Sequence, residues 1–231
     1  MENELTEIEG KKVSFFISND KPELILIEPT DMRSIDHMDR QVNELEGMVN
    51  KPFLFVAFSV DDWNLQLSPW EAPAVFGDEG FGGKGRETLS FVCDNLIPEI
   101  RQRFCLDADK PMVIGGYSLA GLFSLWATYE TDSFKGCAAA SPSVWFPKWM
   151  EYVKGRKTCA SNIYLSLGDR EEKTKNSVMK TVGDNIRALS EIYSDSGIKN
   201  YLEWNEGNHF KDADIRTAKA FAWCINSIMP E

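Results

Sequence analysis

The sequence predicts an α/β fold, a mostly parallel sheet with helices on both faces. Three observations carry that expectation. Residues 52–60, Pro52-Phe53-Leu54-Phe55-Val56-Ala57-Phe58-Ser59-Val60, form an apolar run of strand length, the pattern of a strand covered on both sides. Strand-like segments then alternate with helix-like ones over most of the chain, as parallel sheets require. Finally, the chemically suggestive residues each fall just after a predicted strand, where ligands bind in such sheets.

The totals agree. The chain has 231 residues, of which 43% are hydrophobic, enough for a single compact domain over 1–231 with a sizeable core. Seven tryptophans and 14 phenylalanines argue against disorder. The net charge of −11 disfavours nucleic acid and anionic membranes as partners. The five cysteines, Cys93, Cys105, Cys137, Cys159 and Cys224, are odd in number and scattered. They suggest a reducing compartment and no disulfide framework. His37 and His209 are the only histidines, and neither stands at metal-ligand spacing from a cysteine, so neither a metal nor another cofactor is expected. The acidic N-terminus has no apolar signal-peptide core and no run reaches membrane-spanning length, so a cytoplasmic location is expected.

Taken in order, residues 12–18 and 23–28 read as strands, joined by a turn at Asn19-Asp20-Lys21-Pro22. Residues 34–48 carry apolar side chains at Ile35, Met38, Val42, Leu45 and Met48, which predicts a surface helix. After strand 52–60, residues 61–85 show no periodicity but hold Trp63, Trp70 and a glycine cluster, the marks of a functional or mobile loop. Residues 86–104 read as a helix, with Pro98 the chief objection. A strand at 111–116 and a helix beyond Ser118 follow. Strands at 136–140, 162–167 and 199–204 and helices at 176–194 and 212–228 complete the pattern.

Gly116-Tyr117-Ser118-Leu119-Ala120 is close to G-x-S-x-G, in which a serine stands exposed on a sharp strand-to-helix turn. Ala120 occupies the second glycine position, and Gly121 follows it. Alone the motif is weak, since a chain this long meets it by chance about once in ten. The apolar strand before it and the apolar helix after it strengthen it. The bland reading is a serine that only caps the helix.

A serine nucleophile needs a base. His209, in the loop Gly207-Asn208-His209-Phe210 after the last strand, is the candidate, and His37 reads as a surface residue. The histidine in turn needs a carboxylate to orient it. The loop after strand 162–167 offers Glu171 as first choice, ahead of Asp169 and Glu172. Serine, acid and histidine then occur in the order expected of α/β-hydrolases. An oxyanion hole needs two backbone N–H groups. Leu119 is expected to supply one. The segment Asp61-Asp62-Trp63 is expected to supply the other, with Asp62 the residue chosen. Trp63, Trp70 and Trp145 are candidates for an apolar substrate pocket, with core packing the alternative.

These stretches, Gly115-Gly116-Tyr117-Ser118-Leu119-Ala120-Gly121-Leu122-Phe123, Ser141-Pro142-Ser143-Val144-Trp145, Leu167-Gly168-Asp169-Arg170-Glu171 and Gly207-Asn208-His209-Phe210, resemble the esterases of the α/β-hydrolase superfamily. The branch is that of enterochelin (siderophore) esterases and esterase D, and the resemblance covers roughly residues 50–228. It implies the α/β-hydrolase fold, Ser118 as nucleophile, His209 as base, an acid near Glu171 and a pocket bordered by residues 141–145. The expected activity is hydrolysis of a small-molecule carboxylic ester through an acyl-enzyme. Acyl transfer on the same residues and a non-catalytic binding module are the alternatives.

Overall fold

The structure is a computed structural model that describes residues 2–18 and 21–230. Its ten strands are β1 (Glu2–Ile8), β2 (Lys11–Ile17), β3 (Leu24–Asp31), β4 (Phe53–Val60), β5 (Glu71–Ala72), β6 (Phe81–Gly82), β7 (Met112–Tyr117), β8 (Gly136–Ala140), β9 (Asn162–Gly168) and β10 (Lys199–Asn205). Eight form one sheet in the order β1-β2-β4-β3-β7-β8-β9-β10, while β5 and β6 make a separate ribbon. From β4 to β10 across the sheet every pair is parallel. Only β2 runs against the rest, being antiparallel to both β1 and β4.

The sheet is sandwiched by helices. The eight α-helices among the described residues are α1 (Asp39–Glu46), α2 (Trp63–Gln66), α3 (Gly85–Phe91), α4 (Ile97–Arg103), α5 (Leu119–Glu130), α6 (Trp149–Val153), α7 (Val182–Asp195) and α8 (Ala213–Ile228). One face packs on α1 and α8, where Val42, Leu45, Phe221 and Ile225 meet Phe55, Ala57 and Val113. The other face packs on α3, α4, α5 and α7, where Leu89, Ile100, Leu122 and Ile186 meet Ile27, Val56 and Ile114. Strand β4 explains the apolar run: all eight of its residues are buried. Each of its Phe, Leu and Val side chains removed from water contributes about 1.5–3 kcal/mol before entropy is subtracted.

Several expectations need correction. The strands at 12–18 and 23–28 do not form a hairpin, because β4 lies between β2 and β3 and bonds to both. Asn19 and Asp20 of the expected turn lie outside the described residues. The partner of β2 on its other side is β1, a strand too polar to show an apolar pattern. It is an edge strand, and its turn is made by Glu9 and Gly10, both at positive φ, as two-residue hairpins require.

The helix over 86–104 forms, but with a wider π turn at Val92–Leu96, where the Ile97 N–H reaches the Val92 carbonyl. Proline has no N–H and its ring clashes with the carbonyl four residues back. The wide turn just before Pro98 relieves that conflict. The helix expected from 176 starts only at Val182, after a short 3-10 turn at Met179–Thr181. The long loop 61–85 contains α2 and the β5–β6 ribbon, and α6 is an unforeseen helix of five residues.

Candidate active site

The site forms at the C-terminal ends of β7, β8, β9 and β10. Ser118 stands between β7 and α5 with φ 58° and ψ −120°. Such a conformation costs an ordinary residue about 1–3 kcal/mol and persists only where neighbours hold it. Three backbone bonds do so. The Ser118 N–H donates to the Ala140 carbonyl at 3.1 Å, and its own carbonyl accepts from Leu122 at 3.1 Å and Ser143 at 3.0 Å. Gly116 is needed because a Cβ there would lie 2.7 Å from the Cβ of Ala120. Alanine at the second glycine position is therefore accommodated against a bare backbone.

Three side chains form a hydrogen-bonded chain. Ser118 Oγ lies 3.0 Å from His209 Nε2. His209 Nδ1 lies 2.6 Å from Glu171 Oε2. The other carboxyl oxygen, Glu171 Oε1, accepts from the Gly168 N–H at 2.7 Å, the Ser141 hydroxyl at 2.8 Å and Arg216 Nη1 at 3.2 Å. With donors converging on one oxygen, the carboxylate acts as an acceptor at the other too. His209 Nδ1 then carries the hydrogen, and Nε2 is left with a lone pair toward the serine hydroxyl. Ser143 Oγ also lies 3.3 Å from Ser118 Oγ.

Local sequence explains these positions. Gly168 ends β9 where a Cβ would come within 2.4 Å of the Gly207 carbonyl and 2.9 Å of Glu171 Oε1. The bare backbone lets the acid and the histidine loop approach each other. Asp169 does not reach the histidine. Its Oδ1 accepts from the Gly207 N–H at 2.8 Å and so ties the histidine loop down. That bond is the chief cause of its lowered pKa. Glu172 points elsewhere, to Arg187 at 2.9 Å.

Arg216, on α8, was not foreseen. Only 3% of its side chain is exposed. Besides Glu171 it reaches the Tyr117 hydroxyl at 3.2 Å and the Glu206 carbonyl at 3.1 Å. Tyr117 in turn donates to the carbonyl of His209 at 2.8 Å. Burial raises the Tyr117 pKa, so its phenol stays a donor at neutral pH. A signal for Arg216 did exist: it falls four and eight residues before Ala220 and Cys224, in phase with the buried face of α8.

The backbone donors need one correction. Leu119 opens α5, and its N–H is among those with no acceptor inside the helix. Asp62, however, is occupied. Its N–H faces Gln66 Oε1 at 3.4 Å, beside the Asp61 N–H at 2.8 Å from the same atom. Its carboxylate caps α2 by accepting from the Leu65 N–H at 2.9 Å. Trp63 is the first residue of α2, so its N–H is among those with no acceptor inside that helix.

The tryptophans divide. Trp145 is 8% exposed and lines a cavity of about 230 Å³ with Pro142, His209 and Phe210, and with Arg170 and Lys173 beside them. Trp63 lines a different cleft, beside Tyr117. Trp70 lines neither. It donates to the Pro147 carbonyl at 3.0 Å and packs on Phe146 and Tyr152, so it fastens the β4–α3 connection to the segment before α6. Among the described residues no group of His, Cys, Asp or Glu is arranged to hold a metal ion. No helix there is long and apolar enough to cross a membrane.

The strand order, the lone antiparallel β2 and the serine turn after β7 define an α/β-hydrolase. A family model described as "Putative esterase" matches residues 39–212, and the chain belongs to that family of esterases. Solved structures agree on the fold. An IroE-like serine hydrolase from Shewanella oneidensis superposes with a TM-score of 0.81 at 14% identity, over 100% of this chain and 82% of that one. The siderophore hydrolase EstA from Aspergillus nidulans gives 0.71 at 14% identity, over 98% and 94%. The enterobactin esterase FES from Shigella flexneri, in the presence of 2,3-dihydroxy-N-benzoyl-glycine, gives 0.69 at 15% identity, over 99% and 60%. No curated protein sequence matches the chain.

Proposed function

We propose that the protein hydrolyses a carboxylic ester through an acyl-enzyme on Ser118, with His209 as base and Glu171 as the acid that orients it. The observation that supports this most is the unbroken hydrogen-bonded chain from Ser118 Oγ through His209 to Glu171, at 3.0 and 2.6 Å.

The steps follow. His209 Nε2 takes the hydroxyl proton as Ser118 Oγ attacks the ester carbonyl. The Leu119 N–H, at the positive end of α5, stabilises the developing oxyanion, with the Trp63 N–H as the second donor. Glu171 stabilises the imidazolium that forms. The tetrahedral intermediate expels the alcohol, which receives the proton from His209. Water then attacks the acyl-serine, giving its proton to His209 and releasing the acid. The proton returns to Ser118.

The cavity beside His209 suits a small or planar acyl group. Trp145 and Phe210 supply apolar surface, and Arg170 and Lys173 supply positive charge beside it. Esters of hydroxybenzoic acids combine those features. The siderophore hydrolase and enterobactin esterase among the structural neighbours make siderophore esters the first class to assay.

Ser118→Ala, assayed on p-nitrophenyl acetate, a feruloyl ester and a trilactone siderophore, tests the reading. kcat is expected to fall on the order of 10⁶-fold on every ester that the wild type turns over. Undiminished turnover by a folded Ser118→Ala protein would sink the proposal.

A further inference from the structure

A second cleft, of about 580 Å³, opens at the end of β3 on the α1 and α8 side of the sheet. It reaches the candidate active site through Tyr117, which bonds to the His209 carbonyl, and its walls include Trp63, Met38, Gln41 and Thr217. At its wall lies Glu28, only 5% exposed. One carboxyl oxygen, Oε2, accepts from Gln41 Nε2 at 2.5 Å. No donor among the described residues bonds to the other oxygen.

A carboxyl buried to this degree ordinarily has a cationic partner, because an isolated buried carboxylate is strongly disfavoured. Glu28 has none. The cations nearby are committed or lie outward. Arg40 Nε pairs with Asp214 Oδ2 at 2.9 Å, from α1 to α8. Arg33 and His37 are exposed, and Asp31 turns back to accept from the Arg33 and Ser34 N–H groups. The fold thus holds a carboxyl at the wall of a cleft and omits the counter-charge. The rings of Trp63 and Tyr117 in the same lining add surfaces that attract cations.

We propose that this cleft is a subsite for a ligand group that is apolar with a terminal ammonium, and that Glu28 is its counter-charge. The proposal deepens the esterase reading and rests on it only in taking that group to be part of the ester. Burial holds the Glu28 pKa up at about 8, so at neutral pH the empty cleft presents a carboxylic acid. Binding an ammonium ion releases the carboxyl proton to solvent and leaves an ion pair. The titratable and charged groups that line the cleft with Glu28 are Asp31 at the end of β3, Arg33 beyond it, His37 and Arg40 around α1, Asp214 on α8 and Tyr117 on β7.

Calorimetric titration with benzylammonium and with benzyl alcohol tests it without any ester. Wild type and Ser118→Ala are expected to bind the ammonium alike, about tenfold or more tightly than the alcohol. At pH 7 the heat is expected to vary with the ionisation enthalpy of the buffer, reporting the released proton. Glu28→Gln keeps an acceptor for Gln41, and is expected to bind the ammonium no better than the alcohol and without proton release. Equal affinity for the two ligands in wild type, no binding of the ammonium, or full affinity in Glu28→Gln would overturn the proposal. Ester turnover retained by Ser118→Ala, with ammonium binding intact, would count against the esterase mechanism alone.

Discussion

At the scale of single residues, the candidate site is a carboxylate shared between two tasks. Glu171 orients His209 with one oxygen and anchors Ser141, Gly168 and Arg216 with the other. Glu171→Gln should therefore do two things. Its amide can no longer fix the Nδ1–H tautomer, and kcat is expected to fall by about 10⁴-fold. It also leaves the buried Arg216 guanidinium without its counter-charge, a loss of about 3–5 kcal/mol that thermal denaturation would read. Gly116→Ala drives a methyl into Ala120 and should destabilise by about 1–3 kcal/mol. Adding Ala120→Gly should restore part of that loss. Additive effects in denaturant melts of the double variant would show that the two do not touch. Sequence could point to Ser118, His209 and Glu171 because each follows a strand in a glycine-bearing loop. It could not point to Tyr117 or Ser141, whose roles arise only where three strand ends meet. Arg216 left a trace, a cation on the buried phase of a helix, but pattern reading favours treating cations as surface.

At the scale of elements, periodicity revealed what packing also requires. β4 is apolar throughout because helices cover both of its faces. β1 stayed hidden because an edge strand needs backbone partners more than apolar side chains. The connection from β4 to α3 was legible as unusual, but its tryptophans were not separable by type of environment. Trp70 belongs to the scaffold, and Trp70→Phe should show it. Loss of the bond to the Pro147 carbonyl is expected to cost about 1 kcal/mol in denaturant unfolding with kcat/KM unchanged. A specific loss of kcat/KM would return Trp70 to the substrate pocket. The pairing of β2 with β4 instead of β3 is non-local, and no short-range turn signal could have announced it.

At the scale of the whole molecule, the fold carries a buried acid whose charge state couples to stability. The Glu28 carboxyl is raised from the usual 4.5 to about 8, so between those values the folded chain holds a proton that the unfolded chain has released. Stability from this group is fully present below pH 4.5 and is lost as pH rises through about 8. The melting temperature of wild type should therefore fall relative to Glu28→Gln from pH 5 to pH 9; a constant gap would mean that Glu28 does not titrate there. The architecture as a whole was readable, since alternating strands and helices leave few topologies open. The central claim concerns the bond that the architecture positions. Its most direct measurement is intact-protein mass spectrometry after acid quench during turnover of a slowly deacylated p-nitrophenyl ester. A single added acyl group on wild type, located to the peptide containing Ser118 and absent from Ser118→Ala, is the expected result. An adduct on another residue, or turnover of the same ester by Ser118→Ala, would contradict it.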